Sequence, residues 1–223
     1  MTERKGRPAR TIALDGPVAS GKSVVGRAVA RRLGYRYLDT GLMYRAVALL
    51  ARRRGIPPED APALERLARS LRFRLEGDRL RVDGEDLTDA LAEPSLGEMA
   101  SRVAVHPGVR SALVSAQRAL AEEGPVVMAG RDIGTVVLPD ADLKVFLTAS
   151  PEERARRRWR ELRARGEEAG LEEVLREVEE RDRRDATRPV APLRPAPDAV
   201  VLETDGLPLE EVVRRVVALA GGE

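Results

Sequence analysis

The stretch RTIALDGPVASGKS, residues 10–23, decides the architecture. Its first half is a short apolar run ending in glycine, the pattern of a buried strand. Its second half fits Gly-x-x-x-x-Gly-Lys-Ser in full, with Gly16, Gly21, Lys22 and Ser23 at the fixed positions. Pro17, Val18, Ala19 and Ser20 fill the gap, and Val24 follows. The glycines let backbone N–H groups point inward around a phosphate chain. Lys22 reaches the terminal phosphates, and Ser23 supplies a hydroxyl to Mg2+. KSVVGRAVARRLG (22–34) then shows helical periodicity and stops at Gly34. The start of that helix adds a field that favours anions. Gly-rich turns between strand and helix also occur without ligands, but a complete match in strand–loop–helix order selects a nucleoside triphosphate.

Working outward, YRYLDTG (35–41) reads as a second strand and LMYRAVALLARRRG (42–55) as a second helix. The order β-α-β-α predicts a parallel sheet with crossover helices. The pattern changes at IPPEDAP. A short helix, LERLARSL (64–71), is followed by RFRLEGDRLRVDGEDLT (72–88), which alternates around Gly77-Asp78 and Asp83-Gly84. Both dipeptides are hairpin signals, so about 60–100 is expected to be an inserted subdomain with short antiparallel strands. Residues 95–124 read as a helical region broken at His106-Pro107. PVVMAG (125–130), LKVFLTA (143–149) and AVVLETDG (199–206) are further strands. Charged helices are expected at 150–166 and 171–188, and a closing helix at 208–222. The first of these opens with a Ser cap, Pro in the first turn and two Glu.

The 223 residues suffice for one well-cored α/β domain with a small insertion. No run of about 18 apolar residues is present, so no transmembrane helix is expected. The polar N-terminus is not followed by a signal-type segment, and a cytoplasmic protein is expected. Without cysteine there is neither a disulfide framework nor a thiolate metal site. The net charge of +2 is too small to call for nucleic acid. Lys5, Lys22 and Lys144 are the only lysines, there is no Asn, and Gln117 is the only Gln. That bias fits a thermophile and fits a GC-rich genome equally.

The loop alone could serve several classes. A GTPase reads guanine through Asn-Lys-x-Asp, which a chain without Asn cannot contain. An ATPase motor carries a strand ending Asp-Glu, and none of the strands above does. Small size, an inserted subdomain and an Arg-rich helix pair better suit a small-molecule kinase with the P-loop kinase fold: α/β, a five-stranded parallel sheet flanked by helices, an insertion, and a helical lid at 150–188.

Four further stretches sharpen this: LDTGLMYR (38–45), MASRVAVHPGVR (99–110), AGRDIGTVVLPDA (129–141) and ERDRRDATRPVAPL (180–193). With the loop at 16–23, they closely resemble the bacterial cytidylate kinase family over nearly the whole chain after residue 10. The resemblance implies phosphorylation of CMP and dCMP by ATP with Mg2+. ATP is expected on Gly16 to Val24, with Arg154 and Arg158 of the lid. The monophosphate is expected on Thr40, where the family often has Ser, and on Arg45 and Arg131. Asp132, with Ser101 and Arg110, would read the cytosine. Arg181 and Asp185 would contact the sugar, and Arg188 would lie near the phosphates. The expected catalytic groups are Lys22, Arg131, Arg157 and Arg188, with Ser23 at the metal. An acceptor phosphate whose second pKa is about 6 needs no general base, so the lone His106 is read as structural.

Plain structural readings stand beside these. Arg45 is one Arg among many. Arg131 and Asp132 suit a salt bridge within their loop. Residues 151–188 hold twelve Arg and twelve acidic residues, which a hairpin held by opposite charge explains. Arg154, Arg157 and Arg158 share one helical face, and Arg181, Arg184, Asp185 and Arg188 another. Trp159 is read as packing. A kinase acting on UMP, AMP or a small alcohol is the alternative within the class. Outside it stands a nucleic-acid-binding protein using 154–165 as a basic face, against which the 3% aromatic content argues. A monomer is expected, with no nucleic-acid or membrane partner.

Overall fold

A computed structural model describes residues 8–93, 95–188 and 190–221. The polar start at 1–7 and the expected helix end at Gly222 lie outside the described residues, as do Pro94 and Pro189. In chain order, β1 (Thr11–Asp15) leads into α1 (Lys22–Leu33), β2 (Arg36–Asp39) and α2 (Thr40–Arg53). Helix α3 (Ala61–Ser70) precedes β3 (Phe73–Glu76), β4 (Arg79–Val82) and β5 (Glu85–Asp86). Helices α4 (Leu96–Val103) and α5 (Pro107–Glu122) lead to β6 (Val126–Gly130) and β7 (Leu143–Thr148). Helices α6 (Pro151–Ala164) and α7 (Leu171–Thr187), β8 (Val200–Glu203) and α8 (Leu209–Leu219) follow.

The main sheet has the order β2-β6-β1-β7-β8, and every pair in it is parallel. Strands β3, β4 and β5 form a separate antiparallel sheet between α3 and α4. Its first turn is tied to the main fold. Tyr37 N donates to Gly77 O at 3.3 Å, and Arg27 pairs with Asp78.

The central strands are mostly apolar because helices cover both faces of the sheet, with Asp15 and Lys144 as buried charged exceptions. On one face Leu38, Met43, Leu64, Leu113 and Met128 share a core with α2, α3 and α5. On the other, Leu14, Val29, Val127 and Val216 are packed by α1 and α8. Helices α6 and α7 close a smaller core of Ala155, Leu162, Val174 and Val178. Trp159 packs there and donates Nε1–H to Ala169 O at 2.9 Å, so it is a packing residue. No helix among the described residues is long and apolar enough to cross a membrane.

Local chemistry sets the boundaries. Pro107 opens α5 and holds His106 extended, at φ −76° and ψ 119°, which divides α4 from α5. Ser150 caps α6 by accepting from Glu153 N–H. The second strand is shorter than 35–41, because Asp39 turns to cap α2 and accepts Gly41 N–H at 3.0 Å. Thr40 and Gly41 therefore belong to the helix.

Candidate active site

The functional residues converge at the carboxyl ends of the parallel strands, where ligands sit in open α/β sheets. Asp15 of β1 is in register with Gly130 of β6, and Asp39 of β2 with Ala129. The loop from Gly16 and the loop from Arg131 thus leave the sheet side by side. Gly16 has no alternative, since a Cβ there would lie 2.0 Å from Leu147 O.

Lys22 is buried in the loop it serves. Its Nζ donates to Pro17 O and to Ser20 Oγ at 3.3 Å. Burial lowers its pKa to about 7, and Arg131 pushes the same way. Ser23 Oγ donates to Asp39 Oδ2 at 2.7 Å. Among the described residues no group of three or more His, Cys, Asp or Glu could hold a metal ion. A hard cation here suits one hydroxyl, a neighbouring carboxylate and the oxygens of a polyphosphate, the mode in which Mg2+ binds with nucleotides.

Beside the phosphate loop stands a set of guanidinium groups around two carboxylates. Asp132 is buried, pairs with Arg110 through Oδ2, and has Oδ1 3.8 Å from Arg188. Arg110 is buried too, and its guanidinium lies 5.8 Å over the Tyr44 ring. Arg131 pairs with Asp185 of α7 rather than with its chain neighbour Asp132, so the expected salt bridge within the loop is replaced by one between elements. Arg188 Nε donates to Ala191 O. Arg188 Nη2 and Arg181 Nε are buried without hydrogen-bond partners among the described residues. Burial lowers the Arg181 pKa to about 10, helped by Arg131. Buried N–H donors without acceptors beside several cations are the complement of phosphate.

The remaining expected residues take varied places. Thr40 is buried and donates its hydroxyl to Ala129 O at 3.0 Å. Arg45 Nη1 donates to Leu91 O at 2.8 Å; burial lowers its pKa, and Arg158 and Arg165 act in the same direction. Ser101 is half-buried on α4.

The Arg154, Arg157 and Arg158 face does not act as one surface. Arg154 is buried, and its donors go to Ala149 O, Val18 O and the Asp182 carboxylate. It is a tether from α6 to α7 and to the loop. Arg157 donates to Thr204 Oγ1 at 3.0 Å and Thr204 O at 2.8 Å. It also lies beside Gly21, 3.9 Å from where a Cβ would be. Arg158 pairs with Glu161 at the surface. In the second stripe, Arg184 turns away to Glu180, and Arg188 lies just past the end of α7.

Two carboxylates join the site that the sequence reading passed over. Asp39 accepts from Ser23. Asp15 is buried and accepts from Ile133 N at 2.8 Å and Gly134 N at 2.7 Å. Burial raises the Asp15 pKa to about 6, against the effect of those two N–H groups. Asp15 thereby fastens the root of the phosphate loop to the turn after Asp132. An acidic residue ending each of two apolar runs was the available signal.

A phosphate loop on a five-stranded parallel sheet, with basic side chains opposite and a helical hairpin alongside, defines a small P-loop kinase. Shikimate kinase from Bacteroides thetaiotaomicron shares the fold, at TM-score 0.51 and 16% identity over 95% of this chain and 98% of that one. The cytidylate kinase family model matches residues 12–221, and the chain belongs to that family. A curated cytidylate kinase from Pelotomaculum thermopropionicum is 51% identical over 212 residues, 93% of this chain and 94% of that protein. One from Desulfitobacterium hafniense is 50% identical over 211 residues, covering 93% and 91%.

Proposed function

We propose that the chain transfers the γ-phosphoryl group of ATP to CMP and dCMP, giving ADP and the nucleoside diphosphate. The observation that carries this is the adjacency of two unlike binding sets. One is a complete phosphate loop. The other is the Asp132–Arg110 pair, set among Arg131, Arg181 and Arg188, two of whose buried N–H donors make no hydrogen bond among the described residues. Family membership supports the same reaction.

In this reading Gly16 to Val24 hold the triphosphate, and Lys22 offsets charge that develops on the transferring group. Ser23, beside Asp39, would hold Mg2+ with the nucleotide; the metal supplies neutralisation of the phosphate oxygens. Thr40, Arg45 and Arg131 bind the acceptor phosphate. Asp132 accepts from the cytosine amino group, with Arg110 fixing its orientation and Ser101 completing the base seat. Arg181 and Asp185 hold the sugar. Arg157 and Arg188 bring positive charge to the phosphates, Arg154 and Arg158 flank ATP, and no residue has to remove a proton. Residues 60–100 serve as the acceptor-binding insertion, and 150–188 as a lid. The enzyme works as a monomer in the cytoplasm.

The test is ADP release with ATP and each of CMP, dCMP, UMP, AMP and GMP in parallel. Turnover with CMP and dCMP far above the rest is expected. Equal use of UMP or AMP, or ADP release independent of acceptor, contradicts the proposal.

A further inference from the structure

One buried polar group near the phosphate loop has no role in the account above. Tyr37 is 2% exposed, and its hydroxyl has no hydrogen-bond partner among the described residues. Buried polar atoms are nearly always paired, so such a group calls for an explanation.

Its surroundings are built with care for the ring. Tyr37 and Asp39 are two apart on β2 and share a face of the strand. Ser23, Gly26 and Arg27 share a face of α1, at i, i+3 and i+4. The ring lies under α1 because residue 26 is glycine; a Cβ there would sit 2.6 Å from Tyr37 Cε2. The Arg27 guanidinium covers the ring 5.3 Å from its centroid, and Asp78 holds that guanidinium in turn. The ring is therefore fixed in place. The groups that bear on its hydroxyl are Asp39, Ser23, Arg27 and Asp78. A phenol with an ordinary pKa of about 10 keeps its proton at neutral pH, so the hydroxyl is available as a donor.

We propose that Tyr37 is a positioning residue for the divalent cation that accompanies the nucleotide. Its hydroxyl, without a hydrogen-bond partner among the described residues of the free protein, donates to Ser23 Oγ when the metal–nucleotide complex is bound and holds that oxygen with a lone pair toward the phosphate loop. Asp39 already takes the Ser23 proton on Oδ2 and Gly41 N–H on Oδ1. A donor on Ser23 Oγ fixes the one member of the pair that lacks a second partner. Partners of this outer kind orient a ligand without touching the ion. The inference rests on the reading of Ser23 as a metal-binding hydroxyl.

The test is Tyr37→Phe, which keeps the ring and removes only the hydroxyl. Mn2+ binding to the enzyme–ADP complex is followed by electron paramagnetic resonance, and melting is followed with ATP, with and without Mg2+. The free variant should melt no lower than the wild type, because it loses an unpaired buried hydroxyl. Its Mn2+ half-saturation should rise about tenfold, in the range seen for lost outer partners. The extra melting-temperature gain from Mg2+ over metal-free ATP should shrink, and turnover lost at limiting Mg2+ should return at saturating Mg2+. An unchanged Mn2+ half-saturation overturns the role of Tyr37 while leaving the Ser23 reading intact. A free variant that melts as far below wild type as its metal complex does makes Tyr37 a packing residue and also overturns it. If wild type gains nothing from Mg2+ over ATP alone, the Ser23 reading fails and takes this proposal with it.

Discussion

Lys22 is a buried ammonium whose pKa burial lowers to about 7, against an ordinary 10.5. The folded state binds this proton less tightly than the unfolded chain does. Its contribution to stability therefore rises with pH between about 7 and 10.5, and its cost is full below 7. A polyphosphate beside Lys22 restores the charge. At pH 8, binding of ATP should take up about one proton per enzyme, since an opposite charge nearby favours the protonated amine. Calorimetry in two buffers of different ionisation heat measures this, and Lys22→Ala should abolish the uptake. The same variant should lower turnover by about 10³ or more, because a donor to the transferring group is worth several kcal/mol. It should fold normally. The reason is not an exposed loop, since Lys22 is buried, but that the substitution removes a charge the fold bears at a cost. Near-normal turnover would show that the loop is not the catalytic site.

At the scale of elements, the apolar strand runs, the hairpin dipeptides and the break before Pro107 were legible because each is a local pattern of period, turn chemistry or missing donor. Partnerships across the chain were not. Arg131 meets Asp185, 54 residues away, rather than Asp132. Asp15 meets Ile133 and Gly134, 118 and 119 residues away. The face holding Arg154, Arg157 and Arg158 was readable as a stripe. Its dispersal was not, because α6 meets Val18 and Asp182 through one residue and Thr204 through another. The Arg154 tether carries its own prediction. Arg154→Ala should lower stability by about 1.5–3 kcal/mol, the worth of hydrogen bonds to charged groups, read from the urea midpoint at unchanged slope. An unchanged midpoint would mean that α6 and α7 are held by their apolar core alone. Asp15→Asn sets an amide against one of two backbone N–H groups. It should raise KM for CMP about tenfold or more, the equivalent of one charge-assisted hydrogen bond, while KM for ATP changes little. Equal changes in both would mean that Asp15 supports the phosphate loop as much as the acceptor loop.

Across the whole molecule, the helices at 150–188 connect both sites. Arg154 reaches the phosphate loop at Val18, and Asp185 reaches the acceptor loop at Arg131. A hairpin anchored on both loops should close most fully when both are filled. ATP and CMP together should therefore protect 150–188 from proteolysis far more than either alone. Equal cleavage in all four conditions would leave a static charged hairpin.

That two-sided arrangement gives meaning to the base seat, on which the substrate assignment turns. Cytosine offers an amino donor where uracil offers a carbonyl acceptor, and a carboxylate accepts from cytosine N4. In a closed site the mismatch leaves buried polar groups unpaired, at about 1–3 kcal/mol each and more when charged. Arg110 holds Asp132 in place, so the carboxylate cannot turn away from the wrong base. The most direct measurement is the ratio of kcat/KM for CMP over UMP in wild type and in Asp132→Asn, which keeps the shape of the side chain. The wild-type ratio should be about 10² to 10⁴. The variant should lose most of it, because an amide can offer uracil a donor. A wild type that uses both bases equally, or a variant that keeps the full ratio, would contradict the assignment of Asp132 as the residue that reads the base.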